Sequence, residues 1–425
     1  MVSWMKNEHP IKASVRSEIG VLKSVIIHSP GYEHDMMLPY NTSEWVNAEL
    51  PKRNPDYLLF DDLIYTQKAK YQHSTLKDVL NKFTGGNCID IIDLFKDIID
   101  DENIKELIIQ ESIDTEKKTF NRDINRSQLL DLDNNSLIQT IIGGSIPDKS
   151  NTKIFSHPLP NLIFTRDIAV VIGNTVLLTR SNKKVRRREN IITKHIFENH
   201  MLLKNNTLYD FMNENPNNSI EGGDILIYDK DTICIGISER TSLESIELAL
   251  PIFFNENFTR VIAIDMPKGR SAMHLDTIFT RIGSRSALAH HPVLIDPQNT
   301  FKKYIFNSSG SMNETTKTLI DILNQVSEDI NLIACGGKKP INQIREQWSE
   351  GANSFALSPN ISIGYDININ TINEIERSGF KIISHEDYLS EDINNQQNYF
   401  ITIPGSELSR GRGGARCLTM PLARE

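Results

Sequence analysis

Cys417 lies near the C-terminal end in SELSRGRGGARCLTMPL, behind Gly411, Gly413 and Gly414 and among Arg410, Arg412 and Arg416. Cationic neighbours favour a thiolate, and glycines let a ligand approach the backbone closely, so the segment suits a nucleophile loop. The same composition also suits a solvated Arg-Gly tail, although the apolar LTMPL that follows argues against a free end. A nucleophilic thiol needs a partner histidine, which a third group commonly orients. His274 is flanked by apolar sequence and has a carboxylate two residues away, Asp276 in MHLD. On a strand that spacing puts both side chains on one face. Asp167 in FTRD and Glu221 in SIEGGD are further carboxylates in turn-like contexts, each equally readable as an ordinary strand-end residue.

Other chemistry fits the same residues. His274 and Asp276, completed by Asp167 or Glu221, could ligate a hydrolytic metal. The run Lys183-Lys184-Val185-Arg186-Arg187-Arg188-Glu189 reads as a solvated basic face, from which one arginine could hold a substrate carboxylate. Arg240, in the turn-like SERTS, could do the same. Cys234 alternates with isoleucines and reads as a buried strand residue, Cys335 follows a strand at a turn, and Cys88 reads as a loop residue. Four cysteines in 425 residues, with no C-x-x-C pair, argue against a disulfide framework and a zinc site.

The elements that must position these groups alternate. Strands are expected at Leu22 to His28, Asp224 to Tyr228, Thr232 to Ile237, Val261 to Ile264, Asn331 to Ala334, Ile361 to Tyr365, Lys381 to Ser384 and Tyr399 to Ile403. Helices are expected from about Thr66, at Ser242 to Phe254, Asn313 to Val326 and Thr371 to Ser378. LIFTRDIAVVIG and NTVLLT flank Gly173-Asn174 and suggest a hairpin. Residues 74–153 are rich in Ile, Leu, Asp and Asn and read as a helical insertion, dividing the chain into 1–73, 74–153 and 154–425. The pattern is α/β. A net charge of −9 disfavours nucleic-acid binding, and the absence of a run of about 18 apolar residues disfavours a membrane span. The opening MVSWMK lacks the apolar stretch of a signal peptide, so a cytoplasmic location is expected.

SEIGVLKSVIIHSPG, YLLFDD, PNLIFTRD, SIEGGDILI, ISERTS, MHLDTIFT, REQW and SELSRGRGGARCLTMPL, in that order, resemble the arginine deiminase family of guanidino-group-modifying enzymes over nearly the full length. The resemblance implies a five-bladed propeller of ββαβ modules with a helical domain inserted near the N-terminus. It implies Cys417 as nucleophile, His274 as general acid/base, Asp167 and Asp276 as carboxylates gripping a guanidinium, and Glu221 as support for both histidine and substrate. Asn161, Arg186 and Arg240 would bind the amino-acid end, Phe164 would form an apolar wall, and Arg412 would ride on a flexible loop before the nucleophile. Ile367 and Ser349 depart from the residues common in the family.

The expected reaction is hydrolysis of L-arginine to L-citrulline and ammonia through an S-alkylthiouronium, without metal or organic cofactor, in a homo-oligomer. The rivals are an amidinotransferase or agmatine deiminase of the same fold, a metal-dependent hydrolase, and a noncatalytic interaction protein.

Overall fold

Short β-branched runs bounded by glycine, proline and polar residues pair into five separate sheets in the computed structural model, which describes residues 9–42, 54, 57–147, 152–296, 298, 301–326, 329–393 and 397–425. Each sheet begins with an antiparallel pair and then receives a strand parallel to the second member. Met420–Arg424 pairs antiparallel with Leu22–Ile27, and Cys88–Asp90 joins in parallel after helix Thr66–Thr84. Ala169–Ile172 and Thr175–Leu178 turn at Gly173 (φ 59°), and Thr207–Asp210 returns after helix Arg187–Asn199. Ile225–Ile227 pairs with Thr232–Ile237, helix Leu243–Asn255 leads to Arg260–Asp265, and the hairpin Lys303–Asn307 with Met312–Thr315 extends this sheet. Phe279–Gly283, Ser286–Ala289 and Asn331–Ala334 form the fourth sheet. Phe355–Ser358, Ile361–Tyr365, Tyr399–Ile403 and Lys381–Ser384 form the fifth. The α/β expectation holds, and the first sheet is sewn together from both ends of the chain.

The segment ahead of each opening strand is functionally loaded. Cys417 precedes Met420–Arg424, Asp167 precedes Ala169–Ile172, Glu221 precedes Ile225–Ile227, His274 and Asp276 precede Phe279–Gly283, and Asn353 precedes Phe355–Ser358.

Between the first and second sheets lie helices Ile91–Ile99, Glu102–Phe120, Arg126–Leu130 and Asn134–Gly143. The side chains of Asp90, Asp101, Asn125 and Asp133 accept from their first-turn N–H groups, which explains why an Asp/Asn-rich stretch is helical. Their apolar faces, including Phe95, Ile108, Leu137 and Ile141, join one core with Ile192, Ile196 and Phe197. No described helix is long and apolar enough to cross a membrane.

Several expectations are corrected. Cys88 is not in a loop: Cys88–Asp90 is a strand beside Leu22–Ile27, so the segment expected to be helical returns briefly to the first sheet. Asn313 to Val326 divides into strand Met312–Thr315 and helix Leu319–Val326, because a turn at Gly310 (φ 87°) folds the first part back on Lys303–Asn307. The residues of LIFTRD form 3-10 turns, Pro160–Ile163 and Thr165–Asp167, ahead of the hairpin. The basic run is not a solvated face: Arg186 and Arg188 are buried, the latter over Phe155 and donating to Ile141 and His157 carbonyls.

Arg416 binds these units together. Its side chain donates to Glu18 (2.7 and 3.2 Å), Asp276 (2.9 Å) and the Ile225 carbonyl (2.8 Å), all buried. Burial alone would raise the Glu18 carboxyl, yet Arg416 and Arg166 hold it down at about 2. Arg416→Met keeps the approximate volume and strands two buried carboxylates, so it should destabilise the fold by about 3–5 kcal/mol. A urea midpoint equal to that of the wild type would contradict this account.

Candidate active site

The segments that carry Cys417, Asp167 and His274 meet at a small, partly open cavity of about 20 Å³. Asn161, Phe164, Asp167, Arg186, Arg240, His274, Arg412 and Cys417 line it, together with Leu59, Arg270, Met273 and Gly411. Glu221 and Asp276 are absent from the lining and stand behind it, against His274 and Cys417 respectively. The residues singled out in the sequence thus converge.

Cys417 is buried, and Sγ lies 3.5 Å from Asp276 Oδ2 as a thiol donor. Asn353 Nδ2 donates to Sγ at 3.1 Å, while Asn353 Oδ1 accepts from the backbone N–H groups of Arg416 (3.0 Å) and Cys417 (3.2 Å). Asn353 therefore holds the Arg416-Cys417 turn. The expected thiolate is corrected: burial first, then Asp276, Asp167 and Glu350, push the Cys417 pKa well above its ordinary value, against Arg416. The neighbouring arginines are already spent. Arg410 reaches Asp62 and Glu407, Arg416 reaches Glu18 and Asp276, and Arg412 reaches the Trp348 carbonyl and lies 3.5 Å from Glu350.

The MHLD segment is a turn, not the strand expected from its spacing. His274 is extended, and Leu275–Thr277 is a 3-10 turn because Asp224 Oδ1 captures the Leu275 N–H at 3.0 Å and Thr277 Oγ1 caps the His274 carbonyl. His274 Nε2 meets Glu221 Oε2 at 2.7 Å, and Nδ1 lies 3.7 Å from Asp167 Oδ1. Burial opposes a charged ring, but Asp167, Glu221 and Asp224 outweigh it and raise the His274 pKa to about 10. The ring is an imidazolium at neutral pH. Glycine is required beside it: a Cβ on Gly223 would sit 2.6 Å from His274 Nδ1 and 2.8 Å from Asp167 Oδ1.

Burial would raise the Glu221 carboxyl, yet Arg240, His274 and Arg186 hold it at about 2. Arg186 donates to Asp167 (2.7 Å), Glu189 (2.9 Å) and the Asn161 carbonyl (3.0 Å), so its donors are engaged in holding Asp167. Arg240 is less committed: its Nη1 is 3.7 Å from Glu221 and its Nε has no hydrogen-bond partner among the described residues. Asn161 Nδ2 donates to the Leu58 carbonyl at 2.6 Å. Asp167 Oδ1 and Asp276 Oδ1 are likewise buried without a hydrogen-bond partner among the described residues.

Phe164 forms an apolar wall, stacked on Phe60 at 5.9 Å. Gly411 and Gly413 lie against these rings so closely that a Cβ would fall 2.9 Å from Phe60 and 2.3 Å from Phe164. Between them Arg412 takes a positive φ of 63°, with its guanidinium 3.9 Å over the Trp348 ring. Gly411 and Arg412 of this loop form one wall of the cavity. A second cavity of about 310 Å³ shares Leu59, Arg240 and Arg270 with the first and adds Lys183 and Lys184.

Reasoning from the sequence missed Asn353, Glu18, Asp224 and Arg270. The EGGD motif contains Asp224, so a signal was present there. Nothing around Asn353 in GANSF distinguishes it from a loop amide.

One cluster could hold a metal: Asp167, Glu221 and His274 bring one ligand atom each within 4.8 Å of one another. The residues do not fit a dication. Arg186 and Arg240 already stand 2.7 to 4.0 Å from these carboxylates, and the imidazole is hydrogen-bonded to one of them.

The chain is similar in structure to SxtG, an amidinotransferase from Microseira wollei in the saxitoxin biosynthetic pathway (TM-score 0.52, 12% identity, 97% of this chain and 98% of that one). In sequence it is 34% identical to arginine deiminase of Mycoplasma capricolum subsp. capricolum and 33% identical to that of Borrelia recurrentis, covering 97% of this chain and 98% of each relative. The family model described as arginine deiminase matches residues 56–424. By that match and that extent of identity, the chain belongs to the arginine deiminase family.

Proposed function

We propose that the protein hydrolyses L-arginine to L-citrulline and ammonia, with Cys417 as nucleophile and His274 as general acid and base. The observation that carries this reading is the pair of buried oxygens, Asp167 Oδ1 and Asp276 Oδ1, that accept no hydrogen bond among the described residues and lie on carboxylates grouped around a buried thiol. Unpartnered buried carboxylate oxygens are costly, and a planar cation with several N–H donors relieves that cost. A guanidinium meets both requirements and sets its central carbon beside the sulfur.

The chemistry follows from the charges. The entering guanidinium offsets the carboxylates that keep Cys417 protonated, so the thiol releases its proton to solvent when substrate binds. The thiolate attacks the guanidinium carbon, forming a C–S bond. The His274 imidazolium protonates the departing nitrogen, the C–N bond breaks, ammonia leaves, and an S-alkylthiouronium remains. Neutral His274 then takes a proton from water and the hydroxide adds to the same carbon; the C–S bond breaks as the hydroxyl proton passes to the departing sulfur, giving citrulline, the Cys417 thiol and the His274 imidazolium. Glu221 keeps the imidazole oriented throughout. Arg240, with an uncommitted Nε at the junction of the two cavities, is assigned to the α-carboxylate, assisted by Arg186 and Asn161, while Phe164 packs on the aliphatic stem. Arg412 and its flanking glycines move to admit the substrate, because the free volume of about 20 Å³ holds about a single water.

The five sheets are assigned to five blades about a pseudo-fivefold axis, formed by residues 1–73 and 154–425, with 74–153 as the insertion that lends Cys88–Asp90 to the first blade. Four unpaired thiols suit a reducing cytoplasm. Exposed Ile341, Ile344 and Trp348 on helix Pro340–Trp348 supply an apolar row suited to a homo-oligomer.

Wild type should release citrulline from L-arginine, and should still do so after exhaustive chelation, whereas Cys417→Ala should release none. Activity in Cys417→Ala would overturn the mechanism, and activity lost to chelation would revive the metal cluster. Arg240→Leu should raise the KM for arginine by about 10- to 150-fold, the loss of one charge-assisted hydrogen bond of about 1.5–3 kcal/mol; an unchanged KM would move the carboxylate elsewhere. Without substrate, alkylation of Cys417 by iodoacetamide should keep accelerating through pH 9, since the raised thiol pKa leaves the neutral form dominant below it. A rate already flat at pH 7 would mean a resting thiolate.

A further inference from the structure

A cavity of about 560 Å³ opens between the first sheet and the helical segment, sharing no lining residue with the catalytic cavity. Its volume lies within the range of small-molecule sites. Its floor is a buried ionic cluster that the reaction does not use. Glu33 Oε1 meets His28 Nε2 at 3.1 Å, the Gly31 N–H at 2.8 Å and His34 Nδ1 at 2.7 Å, and His28 Nδ1 lies 3.6 Å from Asp90. All contacts to Glu33 fall on one oxygen. The other, Oε2, is buried with no hydrogen-bond partner among the described residues.

Around this floor the cavity offers both signs of charge and an apolar wall. Lys77 and Lys96 bring ammonium groups, Asp93 adds a carboxylate at the rim, and Ile138 and Ile142 supply aliphatic surface. A dicarboxylate would set one of its anions against Glu33 and Asp90, and a diamine would set one of its cations against Lys77 and Lys96. A ligand with one group of each sign on an aliphatic stem matches the whole lining. We propose that this cavity is a second binding site for a small zwitterionic amino acid, with its ammonium toward Glu33 and Asp90 and its carboxylate toward Lys77 and Lys96.

The test is equilibrium dialysis of labelled L-citrulline against the full chain. It compares wild type with the double variant Lys96→Ala, Asp93→Asn and, separately, with Gln139→Trp, which closes the mouth from an exposed rim position. Lys96 and Asp93 are partners at 3.6 Å on the accessible side of helix Ile91–Ile99, so removing both leaves no stranded charge in the core. Each variant should bind one citrulline fewer per chain than wild type, with its turnover of arginine unchanged. The difference between proteins reports on this cavity alone, whatever the catalytic site holds. Equal binding by wild type and variants, including none by either, would overturn the proposal. Displacement of that equivalent by glutarate or cadaverine as readily as by unlabelled citrulline would overturn the assigned ligand class.

Discussion

The site depends on keeping several carboxylates ionised where water does not reach them. Removing a carboxylate from water costs several kcal/mol unless cations and donors replace the solvent. Here the replacements come from different parts of the fold: Arg186 at the entry to helix Arg187–Asn199 holds Asp167, Arg240 after strand Thr232–Ile237 faces Glu221, and Arg416 beside the nucleophile holds Asp276 and Glu18. Each cation is fixed by the sheet or helix that carries it. Arg186 also stands 4.0 Å from Glu221, and Arg416 reaches the Ile225 carbonyl as well as Asp276, so the first four sheets cannot shift independently without stranding charge.

The same constraint sets the state of the sulfur. A buried thiol surrounded by Asp276, Asp167 and Glu350 is a poor acid, and Arg416, which favours the thiolate, is outweighed because it is shared with Asp276 and Glu18. Neighbours in sequence are a guide to electrostatics only when they are not compensated in space. Under the proposed reaction the arriving guanidinium supplies the further positive charge that the thiolate requires. Ionisation and binding are then coupled, so a neutral isostere of the guanidinium would neither be held nor generate the nucleophile.

Much of the scaffold was legible because strong patterns are local. Thr232–Ile237, Asn331–Ala334, Ile361–Tyr365, Lys381–Ser384 and Tyr399–Ile403 are short runs that each carry isoleucine and lie beside turn-forming residues, and their limits match the expectation to the residue. Ser286–Ala289, Phe355–Ser358 and Met420–Arg424 were not foreseen; with alanine, serine and proline in them, their conformation is imposed by the strands they pair with. The site shows the same division. Cys417 and His274 stand out by their immediate surroundings, and the ordered motifs suggested that distant carboxylates join them. The basic run misled because Glu189, Asp167 and Glu116, which neutralise it, are recognisable as partners only in the fold. Asn353 left no trace, since an amide that bridges a backbone turn and a thiol does so by position alone.

The loop that carries Arg412 shows how strain and contact are connected. Arg412 holds a left-handed backbone conformation that costs a non-glycine residue of order 1 kcal/mol, and it does so between two glycines that let the chain press on Phe60 and Phe164. The cost is offset by the Trp348 ring, the Trp348 carbonyl and the nearby Glu350, all of which belong to the segment that also carries Asn353. Releasing the backbone strain would mean giving up those contacts, and a cation–π contact with a charge-assisted hydrogen bond outweighs about 1 kcal/mol of strain, so the observed arrangement is the favoured one. Because Asn353 restrains the Arg416 and Cys417 amides separately, the loop can move at Gly411 and Gly413 without displacing the sulfur from the carboxylates it depends on.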